Sequence, residues 1–200
     1  MNANEDQLET LQSILDAVKE IGEDADASPY QNLAVSCVQV LRALVVLANE
    51  SDPNGVYGET LEGIIEDYNR VNDAVETADA QSANALFTAM KVTSLVVKEC
   101  CASQEQIDQI DEGLAQFDAE NEAAADVNEQ TVVCARWLRR MLGAFAKLNN
   151  AGCAGDIDAQ RERTEDVITS GDLNLEQKTV QYLASSVYAL AIFTGDMTME

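Results

Sequence analysis

Side chains that commonly do chemistry are scarce in this sequence, and histidine is missing from all 200 residues. Without an imidazole, the chain lacks the commonest general base, the commonest zinc ligand and any catalytic triad built on histidine. The glycines are scattered, and none is followed by the Lys and Ser or Thr of a phosphate-binding loop. We therefore expect a protein without catalytic activity and without a cofactor.

One acidic segment has part of the spacing of a calcium-binding loop. Asp24, Asp26 and Ser28 stand at the first, third and fifth positions of such a loop. The sixth position is then Pro29 where the loop needs glycine, and the twelfth is Val35 where it needs glutamate. Because acidic residues are also favourable at the start of a helix, we expect no metal site in this segment.

The five cysteines favour free thiols over a disulfide framework. Their number is odd (Cys37, Cys100, Cys101, Cys134 and Cys153), and four of them lie within or beside apolar helical segments. Such cysteine use is typical of a reducing compartment. Residues 1–20 carry acids in place of the basic start and apolar core of a signal peptide, so the sequence predicts a cytoplasmic protein. The longest apolar stretch, residues 43–48, is far shorter than the ~18 residues of a spanning helix, so we expect no membrane partner.

A cluster of basic residues surrounds the single tryptophan. Arg136, Arg139, Arg140 and Lys147 are four of the 12 basic residues of the chain, and Trp137 lies among them on an apolar face. One interpretation is a docking stripe for an anion or an acidic partner, with Trp137 as its anchor. The other is that these bases pair with the flanking acidic helices and that Trp137 belongs to the core. The sequence leaves both interpretations open.

Acidic residues dominate the composition, with 36 Asp and Glu against 12 Lys and Arg and a net charge of -24. This charge repels nucleic acid and anionic lipid and attracts cationic partners, so we expect a basic protein partner and no direct nucleic-acid binding. The acidic stretch at residues 62–79, which has six acids, is predicted to lie on the second acidic helix and to bind the partner (Glu62, Glu66, Asp67, Asp73, Glu76 and Asp79). An ordinary solvated face and adaptation to high salt are the alternative explanations.

Apolar residues recur at helical spacing along nearly the whole chain, and strand patterns are nearly absent. Four segments have one apolar stripe opposite an acidic face, which predicts outer helices at residues 8–18, 61–75, 107–117 and 156–170. Four others are apolar around most of their circumference, which predicts central helices at residues 33–47, 85–97, 132–148 and 180–193. The sequence therefore predicts an all-α helical bundle of seven to eight helices arranged as αα-hairpins.

Helix starts are indicated by Ser28 before Pro29, by Ser103 with Gln106 and by Asn174 with Gln177. The alternation of the two helix types predicts a single all-helical domain over residues 1–200. It also allows two similar four-helix halves, residues 1–101 and 102–200, although amphipathic helices overlay easily without a duplication.

These patterns favour a non-enzymatic protein-binding module that acts as an adaptor, an assembly factor or an inhibitor. A specific form is an acidic mimic of nucleic acid that blocks a basic nucleic-acid-binding protein, as in viral counter-defence. The alternative is a small-ligand-binding protein or enzyme with a pocket between the apolar helices. The polar groups that bind the ligand in this pocket would be Tyr68, Tyr182, Tyr188 or an arginine near Trp137. A homo-oligomer would be indicated if an outer helix kept an apolar stripe exposed.

Overall fold

Helices account for all regular secondary structure in the part of the chain that the computed structural model describes, which is residues 5–24, 26–35, 58–149 and 152–197. They are α1 (Glu5–Glu23), α2 (from residue 29, described to residue 35), α3 (Gly58–Asn72), α4 (Ala78–Glu99), α5 (Gln104–Ala123), α6 (Val127–Leu148), α7 (Ala154–Ser170) and α8 (Leu175–Met197). The predicted all-α bundle is confirmed. Most of the predicted central helix at residues 33–47, with Cys37, lies outside the described residues.

Side-chain caps fix the helix starts that the sequence indicated. Asn174 and Gln177 form a reciprocal pair before α8: Gln177 N donates to Asn174 Oδ1 at 2.9 Å, and Asn174 N donates to Gln177 Oε1 at 3.0 Å. Ser103 accepts from Gln106 N at 3.3 Å at the start of α5, and Ser28 accepts from Gln31 N at 3.2 Å at the start of α2. Each cap satisfies a backbone donor that the first helical turn leaves without a partner.

The core lies where α4 packs on α6. Helices α1, α3 and α5 pack on α4, while α5, α7 and α8 pack on α6, so these two helices are the centre of the bundle. Both were predicted to be central because they are apolar around most of their circumference. Among the described residues, one hydrophobic core contains residues of both sequence halves. Its largest fully buried side chains are Phe117, Leu33, Leu61, Leu86, Met90, Leu138, Leu142 and Val92.

The described side chains of helix α8 are less buried than its composition predicts. It packs on α6 and α7, and Val180, Ala184 and Tyr188 lie exposed one turn apart along one face. The apolar pattern predicts that α8 packs against other helices. It does not show how many faces of α8 those helices cover. In the described ranges, no helix combines the length and the apolar character that crossing a membrane requires.

Truncation of Leu86 tests whether α4 is the centre of the core. Leu86 is fully buried, so Leu86→Ala should lower the free energy of unfolding by about 2–5 kcal/mol through lost burial and the cavity left behind. The measurement is urea denaturation followed by the fluorescence of Trp137. The control is Val180→Ala on the exposed face of α8, where a change within about 0.5 kcal/mol is expected. Equal effects of the two substitutions would contradict this core.

Candidate functional site

The six acids predicted to bind a partner do not share one helix. Helix α3 ends at Asn72, so only Glu62, Glu66 and Asp67 lie on it. Asp73 and Glu76 lie in the turn that follows, and Asp79 lies in the first turn of α4. The prediction of one long acidic helix was wrong because Thr77 is an N-cap. Its side chain accepts from Ala80 N at 3.3 Å and starts a new helix.

Four of these six carboxylates face solvent without a partner. Glu62, Glu66, Asp73 and Glu76 are exposed, and no ion pair or side-chain hydrogen bond joins their carboxylates to the described residues. The other two are used within the fold. Asp67 pairs with Arg70 at 2.6 Å, and Asp79 accepts from Ser28 Oγ at 3.2 Å and from Gln31 Nε2 at 3.0 Å. The candidate acidic site is therefore Glu62, Glu66, Asp73 and Glu76, which we call the acidic patch.

The basic residues of α6 contact the acidic helices on either side. Arg136 forms an ion pair with Glu120 of α5, and Lys147 Nζ lies 2.5 Å from Asp158 Oδ2 of α7. Helix α7 comes close at Gly143, where a Cβ atom would lie 3.4 Å from Asp158 Oδ1. The space opened by this glycine is thus occupied by α7. These contacts agree with the interpretation that the basic residues pair with the flanking acidic helices. Binding of a partner by these basic residues stays a prediction.

Trp137 is only 4% exposed and packs within the core. Its ring lies 6.4 Å from that of Phe117, and its Nε1 donates to Glu120 Oε2 at 2.7 Å. The guanidinium carbon of Arg140 lies 4.5 Å from the centre of the indole ring, which is within the range of a cation–π contact. An anchor for a partner has to be accessible. In this structure Trp137 is instead a core residue with a satisfied polar group.

Arg139 belongs to a buried polar network between α6, α7 and α8. Its Nη2 donates to Gln160 Oε1 at 2.8 Å, and Gln160 Nε2 donates to Ser185 Oγ at 2.6 Å. The Arg139 guanidinium carbon lies 5.8 Å from the ring centre of Tyr182. The hydroxyl of Tyr182 donates to the carboxylate of Glu165 at 3.4 Å. Burial, with the nearby negative charge of Glu165, raises the pKa of Tyr182 to about 12.

A groove with a volume of about 530 Å³ runs along α4 between α3 and α5. It lies in the size range of small-molecule sites, which is about 300–1,000 Å³. Of the tyrosines predicted to bind a ligand through their hydroxyl groups, Tyr68 lines this groove, and burial raises its pKa. Tyr182 lies in the buried network, and Tyr188 is exposed on α8.

Sequence reasoning missed the two lysines of the groove. Lys91 and Lys98 lie on the groove side of α4 together with Asn84, Thr88 and Leu95. The signal was present as polar residues at steps of three, four and seven along an otherwise apolar helix. It was overlooked because α4 is apolar around most of its circumference.

The described cysteines are all free. Cys134 and Cys153 are buried, and Cys100 and Cys101 are half-buried at the end of α4. Burial raises the pKa of the Cys100 and Cys101 thiols, which disfavours the reactive thiolate. Within the ranges that the structure describes, no three acidic or cysteine side chains come together as a metal site requires.

Removal of the Glu120 carboxylate should destabilise the protein. Glu120→Ala leaves the indole N–H of Trp137 without its acceptor, at an expected cost of about 1–3 kcal/mol in the free energy of unfolding. The ion pair with Arg136 adds little because Glu120 is partly exposed. Glu120→Gln keeps an acceptor and should cost less, and Glu122→Ala, at an exposed position on the same helix, is the control. Urea denaturation measures all three, and a neutral Glu120→Ala would contradict the contact.

The raised pKa of Tyr182 predicts a loss of stability at high pH. The folded protein holds this proton more tightly than the unfolded chain, so the stabilisation is complete below pH ~10 and is lost as the pH rises towards ~12. Tyr182→Phe should flatten this decline, although Tyr68 contributes in the same direction. The measurement is the urea midpoint at several pH values across that range. Tyr188→Phe is the exposed control, and an equal effect of both substitutions would argue against the buried hydroxyl.

Comparison with known proteins gives no relative for this chain. No protein-family model matches it, and no curated protein and no solved structure is significantly similar to it.

Proposed function

We propose that this protein acts by binding a cationic protein partner, as an adaptor, an assembly factor or an inhibitor, and not by catalysis. The observation that carries the proposal is the distribution of charge. The carboxylates of the acidic patch are exposed and have no partner among the described residues, whereas many of the basic side chains are engaged in ion pairs within the fold.

These ion pairs join neighbouring helices or lie within one helix. Lys91 and Lys98 pair with Asp118 and Asp111 across the contact between α4 and α5. Further pairs join Arg70 to Asp67, Arg136 to Glu120, Lys147 to Asp158, and Arg161 to Asp158 and Glu162. Because these basic side chains neutralise some of the acids within the fold, the remaining acids on the surface carry the net charge of -24. Such a field accelerates encounter with a positively charged surface and suppresses association with an anionic one.

A specific form of the proposal is an acidic mimic of nucleic acid. Exposed carboxylates can take the place of phosphates in the basic groove of a nucleic-acid-binding protein, where Lys and Arg supply most of the affinity. Glu62 and Glu66 lie one helical turn apart on α3, and Asp73 and Glu76 continue the charge into the following turn. In this form the partner binds either this protein or nucleic acid, but not both at the same surface.

Charge reversal of the acidic patch tests the proposal. The variant Glu62→Lys, Glu66→Lys, Asp73→Lys and Glu76→Lys should weaken partner binding about tenfold or more, because attraction becomes repulsion where the surfaces meet. The control variant reverses four exposed acids of α5, Glu105, Asp108, Glu112 and Glu122, and changes the net charge by the same amount. Both variants are compared with the native protein by affinity capture from a lysate of the native host and by titration of the captured partner.

Loss of the partner in the patch variant alone supports the proposal, and equal retention by both variants overturns it. An equal loss in both would mean that net charge acts without a defined patch. For the mimic form, excess duplex DNA or RNA should release the captured partner, and added salt should weaken binding steeply.

A further inference from the structure

The groove along α4 exists because two helices that pack on α4 do not touch each other. Among the described helices, α3 and α5 each contact α4 and make no contact with one another. The strip of α4 between them therefore has no helix above it among those that the structure describes. Its walls are largely apolar, with Ile64 and Val71 from α3 and Leu114 from α5.

A second hollow with a volume of about 250 Å³ continues the groove towards the turn between α3 and α4. The two share Val71, Asn84 and Phe87 in their linings, so they adjoin each other, and we call them together the channel. The far end of this channel is mainly aliphatic and is lined by Val71, Val75, Ala80, Ala83 and Val127, with Asn121 and Gln130 beside them. The channel thus becomes more apolar away from Lys98.

The other end of the channel has two lysine ammonium groups on its floor, each paired with a carboxylate of α5, and the ion pair of Asp67 with Arg70 also lines the groove. The Lys91 side chain is 22% exposed and its Nζ lies 2.5 Å from Asp118 Oδ1. The rings of Phe87 and Phe117 lie 5.3 Å and 5.4 Å from the same nitrogen. The Lys98 side chain is 14% exposed and pairs with Asp111. These contacts hold both ammonium groups in place before any ligand arrives.

The ammonium groups and their carboxylate partners differ in access to water. Asp118 and Asp111 are 45% and 52% exposed, so they lie at the rim and remain solvated. An ammonium group has three N–H donors, and Asp118 accepts one of those of Lys91. An anionic group in the groove can therefore accept from Lys91 without the loss of the pair with Asp118.

The channel has lysine ammonium groups at one end and aliphatic side chains at the other. From this change in polarity we propose that the channel binds a single-chain amphiphile with an anionic head group. The head accepts hydrogen bonds from Lys91 and lies in the positive field of Lys98. The hydrocarbon chain passes Phe87 and ends between Val75 and Ala80. Lys91 and Ala80 are 11 residues apart on one helix, or about 16 Å at the rise of an α-helix, which suits a medium-length alkyl chain. The site is separate from the acidic patch and does not depend on the proposed partner.

A head-group series tests the proposal on the full-length protein. Dodecanoate, dodecyl phosphate, dodecanol and dodecylammonium share one chain, and their binding is measured by calorimetry below their micellar concentrations. A protein with a net charge of -24 attracts cations over its whole surface, so non-specific binding would favour dodecylammonium. The proposed site should instead bind the anionic ligands more tightly than dodecylammonium. At least one of the two anionic ligands should bind about tenfold more tightly than dodecanol, because a hydrogen bond to a charged donor is worth about that factor.

Two substitutions separate the head site from the chain site. Lys91→Met keeps the length of the side chain and removes its charge, so it should abolish the preference for the anionic head. Ala80→Phe fills the far end of the channel and should weaken all four ligands together. Lys147→Met removes a paired, half-exposed charge outside the channel. It should change neither the preference for the anionic head nor the affinity for the four ligands. Circular dichroism and Trp137 fluorescence verify that each variant is folded.

The proposal is overturned if dodecylammonium binds at least as tightly as both anionic ligands, or if no ligand of the series binds. It is also overturned if a folded Lys91→Met variant keeps the head-group preference of the native protein. A preference for dodecanoate over dodecyl phosphate would identify a carboxylate head, and the reverse order would identify a phosphate head; both results support the proposal.

Discussion

The packing of α4 against α6 is the contact on which the rest of the structure depends. Both helices are buried around most of their circumference, and every other fully bounded helix packs on one or both of them. Apolar burial supplies the attraction. It has to offset both the conformational entropy of the chain and the mutual repulsion of a strongly acidic surface. Ion pairs from α4 to α5 and from α6 to α5 and α7 place acidic helices beside the few bases of the chain. Four basic residues therefore link the central helices to the acidic outer ones.

The fold class was predictable because the local signals agree with one another. Reciprocal caps such as Asn174 with Gln177 mark where helices begin, and the apolar period shows which face of each helix is buried. The end of α3 was not predictable from the apolar period, because Val75 continues the stripe of Ile64 and Tyr68 past the point where the helix stops. Thr77 caps the start of α4, so the residues after Asn72 leave α3 and lead into a new helix.

The candidate site was less predictable, because helical periodicity does not show which helices become neighbours. The sequence around Trp137 and Arg136 fits a docking stripe and also fits pairing with an acidic helix. The choice depends on where Glu120 lies, and that is set by the packing of α5 on α6. The groove depends on a gap between α3 and α5, which follows from the angles at which both pack on α4. No residue pattern in either helix specifies such a gap.

Helix α3 has two faces that serve different surfaces. Glu62 and Glu66 lie on its solvent side, whereas Ile64 and Tyr68 on the opposite side form a wall of the channel. A helix of this length moves largely as a rigid rod, so a displacement that widens the channel also repositions the outer carboxylates. Thermodynamic linkage then requires reciprocity: a ligand that shifts α3 changes the affinity of the outer face for a partner, and the partner changes the affinity for the ligand by the same factor. The lack of contact between α3 and α5 leaves α3 one fewer restraint against such a shift.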